Sequence, residues 1–153
     1  MSRKFPKTNV MRVLQQNRIP YTPYYWDIVG DVARETNSKI FKTLVTVGKS
    51  GEHYVFVVPV KRELDLKKAA QAVGEKNIHM IKQEELRPLT GYVHGGCSPI
   101  GMKKQLTTTF DILAQEEERI VFSAGKVGYS VAVDVKDIET LIPLQYADIK
   151  TDA

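Results

Sequence analysis

The sequence predicts a single domain of the mixed α/β class. Its 153 residues fall within the usual size of one domain and can bury a sizeable core. Short runs rich in β-branched residues alternate with segments of helical spacing, and glycines and prolines separate them. We find no internal repeat, low-complexity tract or linker, so residues 1–153 are expected to form one unit.

The N-terminal part is predicted to be helical and then extended. Asn9 is expected to cap a helix that runs to about Gln16, with its apolar side chains on one side. Two prolines interrupt this pattern and lead into an extended aromatic run, residues 24–27. A short helix is then expected at residues 31–36.

The middle of the chain is predicted to hold a hairpin and a further helix. Residues 40–47 and 53–60 are apolar and β-branched, and the glycine-bounded turn between them is typical of a β-hairpin. Residues 64–73 have apolar side chains at helical spacing, and Gly74 ends that helix. The remaining predicted elements are a strand at 77–81, a helix at 82–87 before Pro88, apolar segments at 107–112, 120–123 and 130–133, a helix at 135–141 and a closing strand at 146–149.

The segment from Gly91 to Gly101 is the most informative part of the sequence. It reads Gly-Tyr-Val-His-Gly-Gly-Cys-Ser-Pro-Ile-Gly and lies between two apolar stretches. Glycine is favoured where the backbone takes positive φ or approaches a ligand, and its amides can then point at an anion or a carbonyl oxygen. The composition indicates a binding loop, and the alternative is a long connector with tight turns.

Lys42 stands near the start of the apolar strand predicted at residues 40–47. An ammonium group is costly to bury without a partner, so a lysine is out of place in such a strand. In one interpretation, Lys42 lies at the mouth of a cleft and contacts a ligand. In the other, which spacing alone favours, its side chain reaches past the edge of the strand into water.

Familiar catalytic and metal-binding motifs are absent from the sequence. The histidines His53, His79 and His94 lack metal-ligand spacing, and there is no Gly-x-Ser-x-Gly elbow or Walker loop. The single cysteine, Cys97, excludes an internal disulfide and a cysteine-based zinc site. His94 and Cys97 share one flexible loop and do not form an oriented pair, so Cys97 is expected to be a small buried residue. No metal or other cofactor is predicted.

The charge balance permits a polyanionic partner without requiring one. There are 22 basic and 18 acidic residues, which give a net charge of +4. Basic clusters that could contact RNA phosphates, or simply be solvated, are Arg3-Lys4 with Lys7, Lys61-Arg62 with Lys67-Lys68, and Lys103-Lys104. No apolar run approaches the roughly 20 residues of a membrane span and the N-terminus lacks a hydrophobic signal core, so a cytoplasmic location is expected.

Two motifs in a fixed order carry a resemblance to a known family. Phe41-Lys42-Thr43-Leu44 comes first, and Gly95-Gly96-Cys97-Ser98-Pro99-Ile100-Gly101 follows about fifty residues later. Shorter matches accompany them at residues 58–60, 64–68, 90–92, 103–104 and 147–149. With these motifs, the chain resembles the YbaK/EbsC family of aminoacyl-tRNA deacylases from about Val13 to Ile149.

This resemblance implies a fold, an activity and partners. The fold would be a mixed, partly barrel-like sheet flanked by helices, as in YbaK and the related domain associated with prolyl-tRNA synthetase. Proteins of the family remove a misattached amino acid, typically cysteine, from proline tRNA, acting in trans beside the synthetase. The expected partners are the acceptor end of tRNA(Pro) and prolyl-tRNA synthetase. The alternatives are alanine editing on the same scaffold and a catalytically silent module that binds aminoacyl-tRNA or a synthetase.

The resemblance also implies which residues act. The substrate's own thiol and ribose hydroxyls supply much of the chemistry, so the protein mainly holds the acceptor end and stabilises the developing oxyanion. Lys42 aligns with the functional lysine of the family and would contact a phosphate or the carbonyl oxygen. The backbone amides of Gly95, Gly96 and Cys97 would suit the oxyanion, and Ser98 belongs to the same substrate-binding loop.

Two substrate-binding positions depart from the family's pattern. Trp26 stands where tyrosine is frequent, and it is expected either to pack beneath the first helix or to stack on adenine. Ser130 stands where a pocket aspartate is common, so the α-amino group of the substrate would be held more weakly. Both departures bear on which amino acid is removed more than on the fold.

Overall fold

The computed structural model describes residues 6–25 and 39–152, and in this part of the chain the predicted α/β class is confirmed. The helices are α1 (Asn9–Gln16), α2 (Leu66–Val73), α3 (Gln83–Thr90) and α4 (Val135–Leu141), with a 3₁₀ helix at Ile112–Glu116. The strands are β1 (Thr22–Tyr25), β2 (Phe41–Gly48), β3 (His53–Pro59), β4 (Ile78–Met80), β5 (Thr107–Asp111), β6 (Arg119–Lys126), β7 (Tyr129–Asp134) and β8 (Leu144–Ala147). None of the described helices is long and apolar enough to cross a membrane.

The strands form two sheets. One is antiparallel, in the order β1-β7-β6. The other has the order β4-β2-β3-β5-β8, and it is mixed because β2 pairs antiparallel with both neighbours whereas β5 runs parallel to β3 and β8. An isolated parallel bridge between Ile40 and Val121 connects the sheets. The mixed sheet is as predicted, but the described strands do not close into a barrel.

The predicted hairpin of β2 and β3 is confirmed, and it separates two hydrophobic clusters. Phe41 and Val45 of β2 belong to the larger cluster, together with residues of α1, β6 and β7. Leu44 packs against the smaller cluster, which includes Ala69 and Ala70 of α2. Because side chains alternate along a strand, Lys42 lies on the same face of β2 as Leu44.

Two helices begin at residues other than those predicted, because the side chains of Thr8 and Asp65 cap them. Thr8, not Asn9, is the N-cap of α1, and Thr8 Oγ1 accepts a hydrogen bond of 3.2 Å from the backbone N–H of Met11. Asp65 is the N-cap of α2, which therefore begins at Leu66 rather than two residues earlier. The helix predicted at residues 31–36 lies outside the described residues.

The helix predicted to stop before Pro88 continues through it. α3 ends at Thr90, where Gly91 takes a left-handed conformation with φ 86°. Proline removes the hydrogen bond that the carbonyl of Glu84 would accept. Glu84 is exposed, so water can satisfy this carbonyl and the helix tolerates the proline.

Strand boundaries near the C-terminus also shift. The strand predicted at 107–112 ends at Asp111, whose Oδ2 accepts a hydrogen bond of 3.0 Å from the N–H of Leu113 and starts the 3₁₀ helix. β8 occupies residues 144–147 rather than 146–149, since its pairing with β5 stops at Asp111 and Ala147. β6 is longer than the segment predicted at 120–123.

The Asp111 side chain anchors the C-terminal segment, residues 149–151, to the core. Its fully buried carboxylate accepts a hydrogen bond of 3.0 Å from the N–H of Ile149 and pairs with Lys150 Nζ at 3.3 Å. Beyond it, the N–H of Thr151 donates to the carbonyl of Glu63 at 2.9 Å. Residues 149–151 are thus attached both to Asp111 and to the stretch that joins β3 to α2.

Asp111→Ala should lower the free energy of unfolding by roughly 3 kcal/mol, because it leaves the amides of Leu113 and Ile149 without their acceptor and the mostly buried Lys150 ammonium with only the half-exposed Asp148. Asp148→Ala removes a half-exposed partner of the same Lys150 and should cost less than about 1 kcal/mol. Urea unfolding of both variants measures the difference. Equal, small losses would show that Asp111 does not hold the segment.

Candidate functional site

A cleft of about 450 Å³ brings together residues that are far apart in the sequence. Of the predicted site residues, Lys42, Gly95, Cys97 and Ser130 lie in its wall. They come from β2, from the glycine-rich loop (residues 91–101) and from β7. Gly96 and Ser98 are not part of this wall, and Trp26 lies outside the described residues.

Lys42 is neither free in water nor fully buried. Its side chain is 28% exposed, and Nζ lies 3.7 Å from Glu63 Oε1, which is the only carboxylate in ion-pair range among the described residues. Glu63 itself is 83% exposed. An ion pair with such an exposed partner contributes little to stability, so an anionic ligand can displace Glu63 at small cost.

The glycine-rich loop is a packed element rather than the flexible loop expected from its composition. Residues 96–100 are all buried. The Tyr92 hydroxyl donates to the carbonyl of Ile100, and Asn9 Nδ2 of α1 donates to the carbonyl of Gly101 at 3.1 Å. A Cβ on Gly96 would lie only 3.0 Å from the backbone nitrogen of Val127. The loop is therefore held between α1 and the turn that joins β6 to β7.

The three amides predicted to face an oxyanion are not equivalent. The N–H of Gly96 donates to the carbonyl of Val93 at 2.9 Å within the loop. The amides of Gly95 and Cys97 have no acceptor in the described part of the chain, and both residues line the cleft. Ser98 is fully buried, and its Oγ accepts a hydrogen bond of 3.3 Å from the N–H of Ile100. Its side chain therefore stabilises the loop and does not line the cleft.

Cys97 is buried, as the sequence predicted. Burial raises the pKa of its thiol to about 12, and a hydrogen bond with Thr90 offsets only part of this effect. The thiol is therefore neutral near pH 7. A neutral thiol is a poor nucleophile, so Cys97 forms part of the wall of the cleft and not a reactive centre.

Sequence reasoning missed several residues of the wall, and Thr43 is the most informative of them. Its Oγ1 is buried and has no hydrogen-bond partner in the described part of the chain. Buried polar atoms are nearly always paired. A buried hydroxyl beside a cleft that lacks a partner indicates either that a ligand pairs with it or that the site stores strain. Threonine is common in strands, and the sequence therefore contained no signal that would single it out.

The wall also includes polar and aromatic groups from other elements. His94 and Lys82 stand at its edge and are exposed. Ser123 and Tyr129 contribute from β6 and β7, and Lys126 Nζ lies 4.9 Å from the centre of the Tyr129 ring. In the described residues, no three His, Cys, Asp or Glu side chains meet in a way that could hold a metal ion.

This fold is similar to that of a putative trans-editing enzyme for prolyl-tRNA synthetase. Residues 29–141, well over half of the chain, match the family described as the aminoacyl-tRNA editing domain. The chain belongs to this family, and the resemblance seen in the sequence is confirmed.

Individual relatives agree with the family match. The chain is 41% identical, over 95% of its length and 94% of the relative's, to the Enterococcus faecalis protein named "Putative Cys-tRNA(Pro)/Cys-tRNA(Cys) deacylase EbsC". It is 26% identical to the prolyl-tRNA editing protein ProX of Acetoanaerobium sticklandii, over 67% of this chain and 58% of ProX. A solved structure of "a putative trans-editing enzyme for prolyl tRNA synthetase" superposes with a TM-score of 0.80 at 26% identity, over 94% of this chain and 95% of that one.

Thr43→Val should raise the free energy of unfolding by roughly 1 kcal/mol, because it replaces an unpaired buried hydroxyl with a methyl group of the same shape. Thr46 offers a matched control in the same strand, since its Oγ1 donates to the carbonyl of Tyr54 at 3.0 Å. Thr46→Val should destabilise by a similar amount. Urea unfolding that shows both variants destabilised would mean that Thr43 has a partner.

Alkylation of Cys97 by iodoacetamide at pH 8 should be at least about a hundredfold slower in the folded protein than in urea, because the raised pKa leaves little thiolate. Mass spectrometry of samples quenched over time measures both rates. A folded-state rate within tenfold of the unfolded rate would show that the thiol is accessible and ionises normally.

Proposed function

We propose that this protein is an aminoacyl-tRNA deacylase that removes misattached cysteine from tRNA(Pro) in trans. The observation that supports this most is the meeting of Lys42, Gly95, Cys97 and Ser130 in one cleft. The relative that is 41% identical is named for deacylation of Cys-tRNA(Pro) and Cys-tRNA(Cys), which supports the choice of substrate. The protein would work in the cytoplasm beside prolyl-tRNA synthetase, where the mischarged tRNA is produced.

The cleft fits the aminoacylated end of a tRNA. Lys42 and Lys82 are the cations of its described wall, and they would contact phosphate or carbonyl oxygens. Phe41 and Phe122 give the wall apolar surface for the base and the acyl side chain. Ser130, which is 9% exposed, would accept a hydrogen bond from the α-amino group, although it has no charge to hold an ammonium strongly.

The substrate would supply its own nucleophile. No described side chains of the cleft wall form an oriented nucleophile–base pair, and Cys97 is neutral. In the proposed reaction, the thiol sulfur of the esterified cysteine attacks its own carbonyl carbon. The carbon–oxygen bond to the ribose breaks, and the thiol proton ends on the ribose oxygen. Water then opens the resulting thiolactone and releases free cysteine.

The protein's contribution would be electrostatic. The amides of Gly95 and Cys97, which have no acceptor among the described residues, would donate to the carbonyl oxygen as it gains negative charge, and Lys42 of the same cleft wall would add a positive charge. One such donor, already in place before the reaction, contributes about 3–4 kcal/mol to the barrier reduction. Holding the thiol and the carbonyl in one conformation contributes further.

Lys42→Ala should reduce deacylation of cysteinyl-tRNA(Pro) by about a hundredfold or more, since it removes charge beside the forming oxyanion. The assay follows loss of amino acid from cysteinyl-, alanyl- and prolyl-tRNA(Pro). Wild type should remove cysteine only. Lys49→Ala is the matched control, because Lys49 is an exposed lysine in the turn after the far end of β2.

The other outcomes separate the alternatives. Removal of alanine instead of cysteine would keep the cleft and reassign the substrate. Absence of turnover with all three tRNAs, with tight binding retained, would leave a binding module. Full activity of Lys42→Ala would remove Lys42 from the reaction.

A further inference from the structure

A second, more open cleft adjoins the first. It encloses about 460 Å³, and its walls are Gln83, Glu84, Arg87, Val93 and His94. Gln83 and His94 line both clefts. A ligand that fills the first cleft and extends past His94 therefore enters the second one. Two adjoining sites with a shared wall suit a chain of repeated units better than one small molecule.

The cations near the second cleft have no carboxylate partner among the described residues. Arg87 is exposed in its wall. The exposed Lys103 lies beside the end of α3, because its N–H donates to the carbonyl of Thr90 at 3.0 Å, and the exposed Lys104 is the next residue. Lys68 and Lys150, by contrast, both form ion pairs near the C-terminus. An unpaired cation does not have to leave another partner in order to bind a phosphate.

Apolar surface lies beside these cations. Val93 is 43% exposed in the wall of the second cleft, and the neighbouring Val127 is 54% exposed. Val127 stands next to Gly95, because a Cβ on Gly95 would lie 3.7 Å from Val127 Cγ2. Exposed apolar side chains together with an imidazole and a guanidinium match the mixed surface of a nucleotide, which has a flat base, a ribose and a phosphate.

We propose that the second cleft binds the nucleotide that precedes the terminal adenosine in the single-stranded acceptor end of the tRNA. Arg87 contacts the phosphodiester between the two nucleotides, and Val93 and His94 pack against the ribose and base. This inference rests on the proposed function, because it takes the terminal aminoacyl-adenosine to occupy the first cleft. Glu84 is the acidic side chain of the same wall and weakens phosphate binding there.

The test compares two substrates. One is cysteinyl-tRNA(Pro), and the other is 3′-O-cysteinyladenosine, which lacks the second nucleotide. Arg87→Gln should raise KM for the tRNA about five- to tenfold, keep kcat within twofold, and leave turnover of the adenosine ester unchanged. Glu84→Gln should lower KM for the tRNA, and Lys49→Gln should have no effect.

The slope of log kcat/KM against log salt concentration should become shallower by about 0.7 in Arg87→Gln, as expected for one lost contact to a single strand.

A binding measurement separates this inference from the proposed reaction. A fluorescent single-stranded RNA that ends in CCA is titrated with each variant, and its anisotropy reports binding without any cleavage. Weaker binding by Arg87→Gln than by Lys49→Gln supports the second cleft even if no ester is hydrolysed. Equal KM, salt slope and RNA affinity in Arg87→Gln and wild type would overturn it, and so would equal losses on both substrates.

Discussion

The close approach of the glycine-rich loop to the turn between β6 and β7 is the contact on which the cleft depends. At Gly96 the two backbones are so close that a single methyl group would meet the nitrogen of Val127. On its other side, the loop is hydrogen-bonded to α1 through Asn9. The loop is thus held against α1 and the antiparallel sheet, which carries Ser130, and it lines the same cleft as Lys42 of the mixed sheet. Without this contact, Gly95 and Cys97 would have no fixed position relative to either residue.

The proposed site relies on fixed dipoles and one lysine charge rather than on an ionised nucleophile or general base. Burial keeps the Cys97 thiol protonated, and the amides of Gly95 and Cys97, which are unbonded in the described part of the chain, carry partial positive charge without titrating. The fixed dipoles of a rigid loop need not reorganise as charge develops in the substrate, which makes them efficient stabilisers. Such a site suits a substrate that brings its own reactive group, because a strong general base would also promote attack on correctly charged tRNA.

Much of the fold could be predicted from the sequence, since the hairpin of β2 and β3 and helices α1 and α2 have strong periodicity and turn signals. The wrong predictions concern the ends of helices and strands at which a single side chain sets the boundary. Thr8 sets the start of α1, and Asp111 sets the end of β5. The motif around Lys42 and the glycine-rich loop pointed to two segments that line the same cleft. Composition could not tell which of the three amides is already bonded, nor that Thr43 Oγ1 has no hydrogen-bond partner among the described residues. Both facts depend on neighbours that only the three-dimensional packing brings into contact.

The order of the strands has a consequence for how the protein is made. β3 and β5 are parallel neighbours about fifty residues apart in sequence, β8 adds to the sheet from the end of the chain, and Thr151 bonds to the carbonyl of Glu63. The segment that faces Lys42 through Glu63 therefore has all of its contacts only after Thr151 has joined the fold. Pairings between such distant segments also form slowly. Until β5 pairs with β3, the hairpin of β2 and β3 carries one strand edge with unpaired backbone groups, and such an edge can pair with another chain.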